Sequence, residues 1–176
     1  MNYYGARELA ESFRTVRKNT LQVADDIPED KYSFKAAPDT MSIAEMLAHL
    51  ACSTQWAAQI HFVNKNASVT VDDFRALIGE ASKQAVMLTT KGAIVDALKT
   101  RGEDFARKLE NMSDAQLAER VGLPNGSKSR FEMLLGVKEH EMHHRAQLFQ
   151  MERMVGIVPH LTRERQQRTG ATAARS

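Results

Sequence analysis

An apolar stripe that includes two histidines runs through the segment from Ser129 to Val155. Positions three and four residues apart share one face of a helix. Counted from His140, this face carries Met133, Val137, His144, Leu148, Met151 and Val155. The charged side chains of the segment lie off the stripe: Lys138, Glu141, Arg145, Glu152 and Arg153. The pattern predicts a long helix that turns both imidazoles toward a protein core.

Apolar residues recur at helical spacing through most of the chain, and its four prolines and nine glycines fall mainly between the periodic segments. We therefore predict an all-α fold, a four-helix bundle with a helical connection between the second and third long helices. The predicted long helices run from about Tyr4 to Ala24, Ser42 to Asn64, Thr90 to Met112 and Ser129 to Val155, with the connection at Val71 to Leu88 and a loop at Gly122 to Ser127.

The second predicted helix carries a third histidine on its inward face. Ser42 and Glu45 have the spacing of a capping box, which fixes where the helix begins. The face centred on His49 includes Ser42, Met46, Ser53, Trp56 and Ile60. His49 is therefore expected to point into the bundle.

Three core-facing imidazoles favour a shared metal site. His140 and His144, four residues apart, can bind one ion, and His49 is the best placed third ligand. The single cysteine, Cys52, excludes both an internal disulfide and a cysteine-built zinc site. Hydrogen bonds to Ser53, to Gln147 or to water are the alternative way to satisfy these nitrogens.

The other candidate residues have simpler interpretations. His143 falls at the edge of the stripe, and Glu45 could orient His49 but is already explained as a cap. Cys52 is interpreted as a buried thiol and Trp56 as part of the core. His61 and His160 show no partner in the sequence.

Charge and composition narrow the function classes. The formal net charge of +2 comes from 24 Lys and Arg interspersed with 22 Asp and Glu, which argues against nucleic-acid binding. No secretory signal and no run of membrane-spanning length is visible, so we expect a cytoplasmic protein. We predict one domain over residues 1–160 and a flexible C-terminal tail over residues 161–176.

Two motifs lie in the second and fourth predicted helices: the segment from Ser42 to Leu50, and the segment from His140 to Leu148 followed by Met154 to Pro159. Together they resemble the DinB-like superfamily of metal-dependent four-helix-bundle proteins. The superfamily includes bacterial thiol-dependent S-transferases and the metal-binding domain of mycothiol-dependent maleylpyruvate isomerase. Ala146 stands where many relatives have glycine, a change that affects helix packing. The resemblance implies a metal triad of His49, His140 and His144 and a homodimer. Met142 and Phe149 lie opposite the ligand stripe, which suggests a second apolar contact, either with another chain or with the connecting segment.

Three histidines leave coordination positions open, which is typical of catalytic rather than structural metal sites. We expect a divalent transition metal, foremost zinc or nickel, and a small-molecule substrate. The resemblance adds a low-molecular-weight thiol, activated for transfer or isomerisation. A metal-dependent hydrolase using a metal-bound water remains an alternative, as does a noncatalytic metal-binding module or stress-response dimer.

Overall fold

The computed structural model describes residues 4–173, with side chains described as far as residue 170. Within that range the chain forms seven α-helices and one short hairpin. The helices are α1 (Ala6–Asp26), α2 (Ile43–Ala58), α3 (Val71–Val86), α4 (Lys91–Glu110), α5 (Asp114–Ala118), α6 (Arg130–Met154) and α7 (His160–Ala173), and the strands are β1 (Arg120–Leu123) and β2 (Gly126–Ser129).

The four long helices form the bundle that the sequence predicts. Helices α1 and α2 each pack against both α4 and α6. The two helices that carry the predicted histidines, α2 and α6, are thus in direct contact. Helix α3 packs on the outer side of α2 and is the predicted helical connection. Its only buried residue is Ala81, because it covers one flank of the bundle rather than entering the core. None of the helices in residues 4–173 has a stretch long and apolar enough to cross a membrane.

Side-chain caps set where the bundle helices begin. Ser42 accepts a hydrogen bond from the Glu45 amide at 3.2 Å, and the Glu45 carboxylate accepts one from the Ser42 amide at 2.7 Å. Ser129 and Glu132 repeat this arrangement at the start of α6. Such reciprocal bonds satisfy amides that the first helical turn leaves unpaired. The predicted capping box of α2 is confirmed.

The region between α5 and α6 differs from the sequence prediction. The predicted loop at Gly122 to Ser127 is part of an antiparallel hairpin in which Val121 pairs with Lys128. Gly126 has a φ of +132°, which favours glycine at this turn. Each strand has four residues, and those of β2 are mostly polar. Such strands are too short to show a recognisable alternation of apolar and polar residues.

Helix α7 occupies most of the predicted C-terminal tail. Arg163 binds Asp26 of α1 at 2.6 Å, and Arg153 donates to Thr162 at 3.1 Å. Both contacts join the start of α7 to the bundle. Residues 174–176 of the predicted tail lie outside the described residues, and its flexibility stays a prediction.

A buried ion pair ties α6 to the other bundle helices. Arg17 of α1 and Glu141 of α6 are 3% and 1% exposed, and two parallel bonds of 2.8 Å join them. Arg17 also donates to the carbonyl oxygens of Leu98 at 2.7 Å and Leu50 at 3.1 Å. Gly102 makes room for this side chain, since a Cβ there would lie 2.9 Å from Arg17 Cγ. The pair thus fixes how α6 sits against α1, α2 and α4.

Candidate metal centre

Helices α2 and α6 bring three imidazoles together. The Nε2 atoms of His49 and His140 are 3.0 Å apart. The ring centroids lie 4.9 Å apart for His49 and His140, 4.9 Å for His49 and His144, and 4.6 Å for His140 and His144. One ring nitrogen from each residue falls within 4.8 Å of the other two. All three residues predicted for the site therefore meet at one point, and each is partly buried.

The spacing of the nitrogens fits a shared divalent ion. With metal–nitrogen distances of about 2.0–2.1 Å, two ligand nitrogens should be separated by about 2.9 Å at right angles and about 3.3 Å in a tetrahedron. The 3.0 Å between His49 and His140 lies in that range. Three nitrogen donors suit zinc, nickel and other borderline divalent metals. The residues present fit such an ion, and their ligation of a metal stays a prediction.

The surroundings keep these imidazoles neutral, which is the form that binds metal. Burial lowers the pKa of His140 to about 4, helped by His144, His49 and His143. Burial also lowers the pKa of His49, with His144 adding to the effect. The pKa of His144 is lowered by burial, although its bond to Gln147 works in the opposite direction. At neutral pH the cluster therefore presents lone pairs rather than cations.

Gln147 orients one of the three rings. Its Oε1 atom lies 2.7 Å from Nδ1 of His144, one helical turn earlier on α6. An amide oxygen only accepts, so Nδ1 carries the proton and Nε2 is left with its lone pair. Metal-binding histidines commonly have an outer partner of this kind on the second ring nitrogen. The sequence suggested Gln147 only as an alternative partner, and the structure gives it this orienting position.

Glu45, the other candidate for orienting a ring, lies elsewhere. Its carboxylate is occupied by the Ser42 amide and by Lys35 at 3.2 Å. Its pKa is lowered first by the hydrogen bond from the Ser42 backbone. Glu45 therefore caps α2 and has no described contact with His49.

The remaining histidines and the cysteine lie outside the cluster. His143 is exposed, with its ring centroid 5.1 Å from that of His144. His61 lies 3.3 Å from Arg130, and His160 lies 3.3 Å from Asn19. Cys52 is a buried free thiol, as predicted, with Arg101 at 2.8 Å. Burial raises the pKa of Cys52, which argues against a nucleophilic role.

A cavity of about 230 Å³ adjoins the imidazole cluster. Its lining comes from three helices: His49, Ser53 and Trp56 of α2, Phe74, Ile78, Ala81 and Ser82 of α3, and His140 of α6. Trp56, interpreted from the sequence as core, is partly buried at the edge of two apolar clusters and forms a wall of this cavity. The α3 residues were missed because the cavity depends on how α3 lies across α2. Their spacing of four and three residues was the available signal.

Comparison with known proteins gives a consistent family match. The model of the DinB superfamily matches residues 12–148. The uncharacterised protein YjoA of Bacillus subtilis is 29% identical over 154 residues, which covers 86% of this chain and 91% of YjoA. The crystal structure of YjoA superposes with a TM-score of 0.66 at 26% identity, covering 85% of this chain and 92% of that one.

More distant structures share the fold. A DinB-like protein of Bacillus cereus has a TM-score of 0.65 at 14% identity, covering 86% of this chain and 93% of that one. The mycothiol-dependent maleylpyruvate isomerase has a TM-score of 0.60 at 10% identity, covering 82% of this chain and 61% of the isomerase. At such identities the likeness concerns the fold alone. The match to the family model covers most of the bundle.

Proposed function

The chain belongs to the DinB superfamily, and from this membership and the three-imidazole cluster we propose that it is a metal-dependent enzyme that activates a low-molecular-weight thiol. The activated sulfur would attack a small electrophile, giving transfer or isomerisation. The observation that carries the proposal is the convergence of His49, His140 and His144 beside a cavity. The thiol enters from the structural relative whose name states dependence on mycothiol.

The three histidines would hold a divalent metal, zinc or nickel foremost, and leave part of its coordination sphere open. Such an ion lowers the pKa of a bound thiol or water toward neutrality. The protein's own contribution is to keep the three rings unprotonated and fixed. Burial disfavours the imidazolium forms, and Gln147 holds the proton of His144 on Nδ1. The cavity would place the electrophile next to His49 and His140.

For the transfer reaction, the proposed step is a substitution in which the thiol loses its proton to solvent and its sulfur forms a bond to carbon. The leaving group takes the electron pair of the broken bond. His49, His140 and His144 would suit this chemistry, because neutral imidazole ligands would leave the positive charge of a held metal undiminished and so would favour the thiolate form. We further propose that the reaction takes place in the cytoplasm, where such thiols are kept reduced.

A matched pair of variants tests the proposal. The protein is loaded with zinc or nickel and supplied with monochlorobimane as electrophile and with mycothiol, glutathione or cysteine as thiol. His144→Ala should abolish the conjugation rate, whereas His143→Ala, which changes the exposed neighbour, should keep it. Metal content is measured in each variant. Equal rates in the wild type and in His144→Ala would refute the proposal.

The same assay separates the alternatives. Turnover of an ester without any thiol, lost in His144→Ala, would indicate a metal-dependent hydrolase. Metal binding without turnover of any substrate would indicate a noncatalytic module.

The homodimer implied by the family resemblance is a separate proposal, supported by Met142, which is 42% exposed on α6. Phe149 supports it less, because its ring packs 5.7 Å from His160 within the chain. Sedimentation of the wild type and of Met142→Asp would test it.

A further inference from the structure

We propose that the cavity beside His49 and His140 binds an uncharged ligand with an apolar, preferably aromatic, body. Its role as the substrate of the reaction rests on the proposed function, but the binding preference stands on the cavity alone. The proposal rests on the arrangement of the cavity walls, on the absence of charged side chains among its described lining residues, and on its size. All three are properties of the protein walls themselves.

Two helices supply facing walls of the cavity. On α2, His49, Ser53 and Trp56 follow one another at spacings of four and three residues. On α3, Phe74, Ile78 and Ala81 follow the same spacing. Trp56 and Phe74 meet edge to face, with centroids 6.0 Å apart and planes at 62°. The cavity is thus a slot between two helix faces, with an aromatic pair in its lining, and it reaches His140 of α6.

The slot has no charged group to pair with an ionic ligand. No Lys, Arg, Asp or Glu is among its described lining residues. Of its two serines, Ser53 is buried and already donates to the Leu50 carbonyl at 3.1 Å, while Ser82 is exposed. A carboxylate placed there would lose its water without gaining a cation from the protein walls. A neutral apolar ligand avoids that cost and covers Ile78, which is 50% exposed.

A second cavity of about 390 Å³ shows the contrast. It shares Trp56 and Ala81 with the slot, but its walls include Arg101, Asp104 and Lys108. The two cavities are therefore neighbours with different chemistry. Of the two, only the uncharged cavity is lined by histidines of the cluster, namely His49 and His140.

The size of the slot agrees with a small aromatic ligand. A buried cavity of about 150 Å³ is large enough to hold benzene. At about 230 Å³ the slot can hold a substituted single ring. Ile78 and Ser82 are exposed, so the slot opens to solvent along α3 and a ligand can enter without unfolding the bundle.

The single tryptophan of the chain provides a direct readout. Trp56 lines the slot, and bromine quenches indole fluorescence on contact. Metal-free and nickel-loaded protein are titrated with 4-bromobenzyl alcohol and with 4-bromobenzoate, which differ mainly in charge. We expect quenching by the alcohol at concentrations at least about tenfold lower than by the benzoate in the metal-free protein.

A charge introduced into the slot should reverse this preference. Ile78 lines only the histidine-containing cavity, whereas Trp56 lines both, so Ile78→Arg identifies which cavity is occupied. In this variant the benzoate should bind at least about tenfold more tightly than in the wild type, and the alcohol more weakly. Val86→Arg is the matched control, because Val86 is 76% exposed on the same helix and lines neither cavity. It should behave as the wild type.

The outcomes separate this inference from the proposed function. Quenching by the alcohol that Ile78→Arg weakens supports the slot even if no conjugation is ever observed. Absence of quenching by the alcohol, equal quenching by both probes, or an alcohol response unchanged in Ile78→Arg would overturn it. Conjugation of a neutral electrophile together with any of these results would leave the metal chemistry intact and place the substrate elsewhere.

Discussion

His140 and Glu141 are consecutive residues of α6, yet they belong to two different kinds of buried polar cluster. Glu141 is matched within the protein, because Arg17 donates two bonds to its carboxylate. The nitrogens of His49, His140 and His144 instead converge on one point, where uncharged imidazoles cannot all satisfy one another. The carboxylate of Glu141 has its hydrogen bonds satisfied within the protein. The three converging imidazoles keep lone pairs that an external ligand could use.

Breaking the ion pair of Arg17 and Glu141 should have the largest effect on stability. Glu141→Ala leaves the Arg17 cation buried without its partner, which should lower the free energy of unfolding by about 3–5 kcal/mol. Urea denaturation measures this loss. Glu139→Ala, at an exposed position of the same helix, should change stability by less than about 0.5 kcal/mol. Similar losses in the two variants would show that the ion pair is not the reason.

Removing one member of the convergent cluster should affect the metal rather than the fold. His144→Ala should unfold at nearly the wild-type denaturant concentration when both proteins are metal-free. At a nickel concentration about one hundred times the dissociation constant, the free energy of unfolding of the wild type should rise by about 2.7 kcal/mol. That of the variant should hardly change. His143→Ala should retain the full gain. A nickel-dependent gain of wild-type size in His144→Ala would place the metal elsewhere.

The bond from His144 to Gln147 predicts a smaller effect on the same metal. Gln147→Leu removes the acceptor that holds the proton on Nδ1, and outer partners of this kind contribute about 10- to 100-fold in metal affinity. Because Gln147 is exposed, we expect the metal affinity to fall by only about tenfold. Competition with a chromogenic chelator measures the affinity. Gln150→Leu, at another exposed position of α6, serves as the control and should leave the affinity unchanged.

The bundle was predictable because its helices carry strong local signals. Apolar spacing located the four long helices, and the Ser42–Glu45 cap located the start of α2. The hairpin was missed because its two four-residue strands, between Arg120 and Ser129, show little alternation of apolar and polar residues. Helix α7 was missed because its polar sequence has no apolar stripe, and its contacts, such as that of Arg163 with Asp26, are long-range.

The apolar stripes that indicated the facing of the three histidines carry no information about the burial of the charged residues beside them. A histidine within an apolar stripe reveals its face, and the stripe of α6 placed His140 and His144 correctly. Glu141 and Glu152 fall off that stripe, yet both are buried. A long helix inside a bundle touches more than one neighbour, so a second face is also covered. Which charges find partners there depends on residues far away in sequence, as Arg17 illustrates.

Glu152 adds a third case to the comparison, a buried carboxyl group with no partner. Its side chain is 0% exposed, and neither carboxylate oxygen has a hydrogen-bond partner among the described residues. Burial raises the pKa of Glu152 from 4.5 to about 7, with nearby Asp26 adding to the effect. Between these two values the folded protein binds more protons than the unfolded chain. Stability from this group therefore falls as the pH rises from about 4.5 to about 7.

Glu152→Gln should remove that dependence, since glutamine has nearly the same shape and no charge. The variant should be more stable than the wild type at pH 8, by about 1 kcal/mol, because the unpaired amide offsets part of the gain. The difference should shrink toward pH 5, where the carboxyl of the folded wild type is protonated. Urea denaturation at both pH values measures this difference in the free energy of unfolding. Other titrating groups contribute equally to the two proteins and therefore cancel. A difference that stays constant with pH would mean that Glu152 is already ionised in the folded wild type at pH 5.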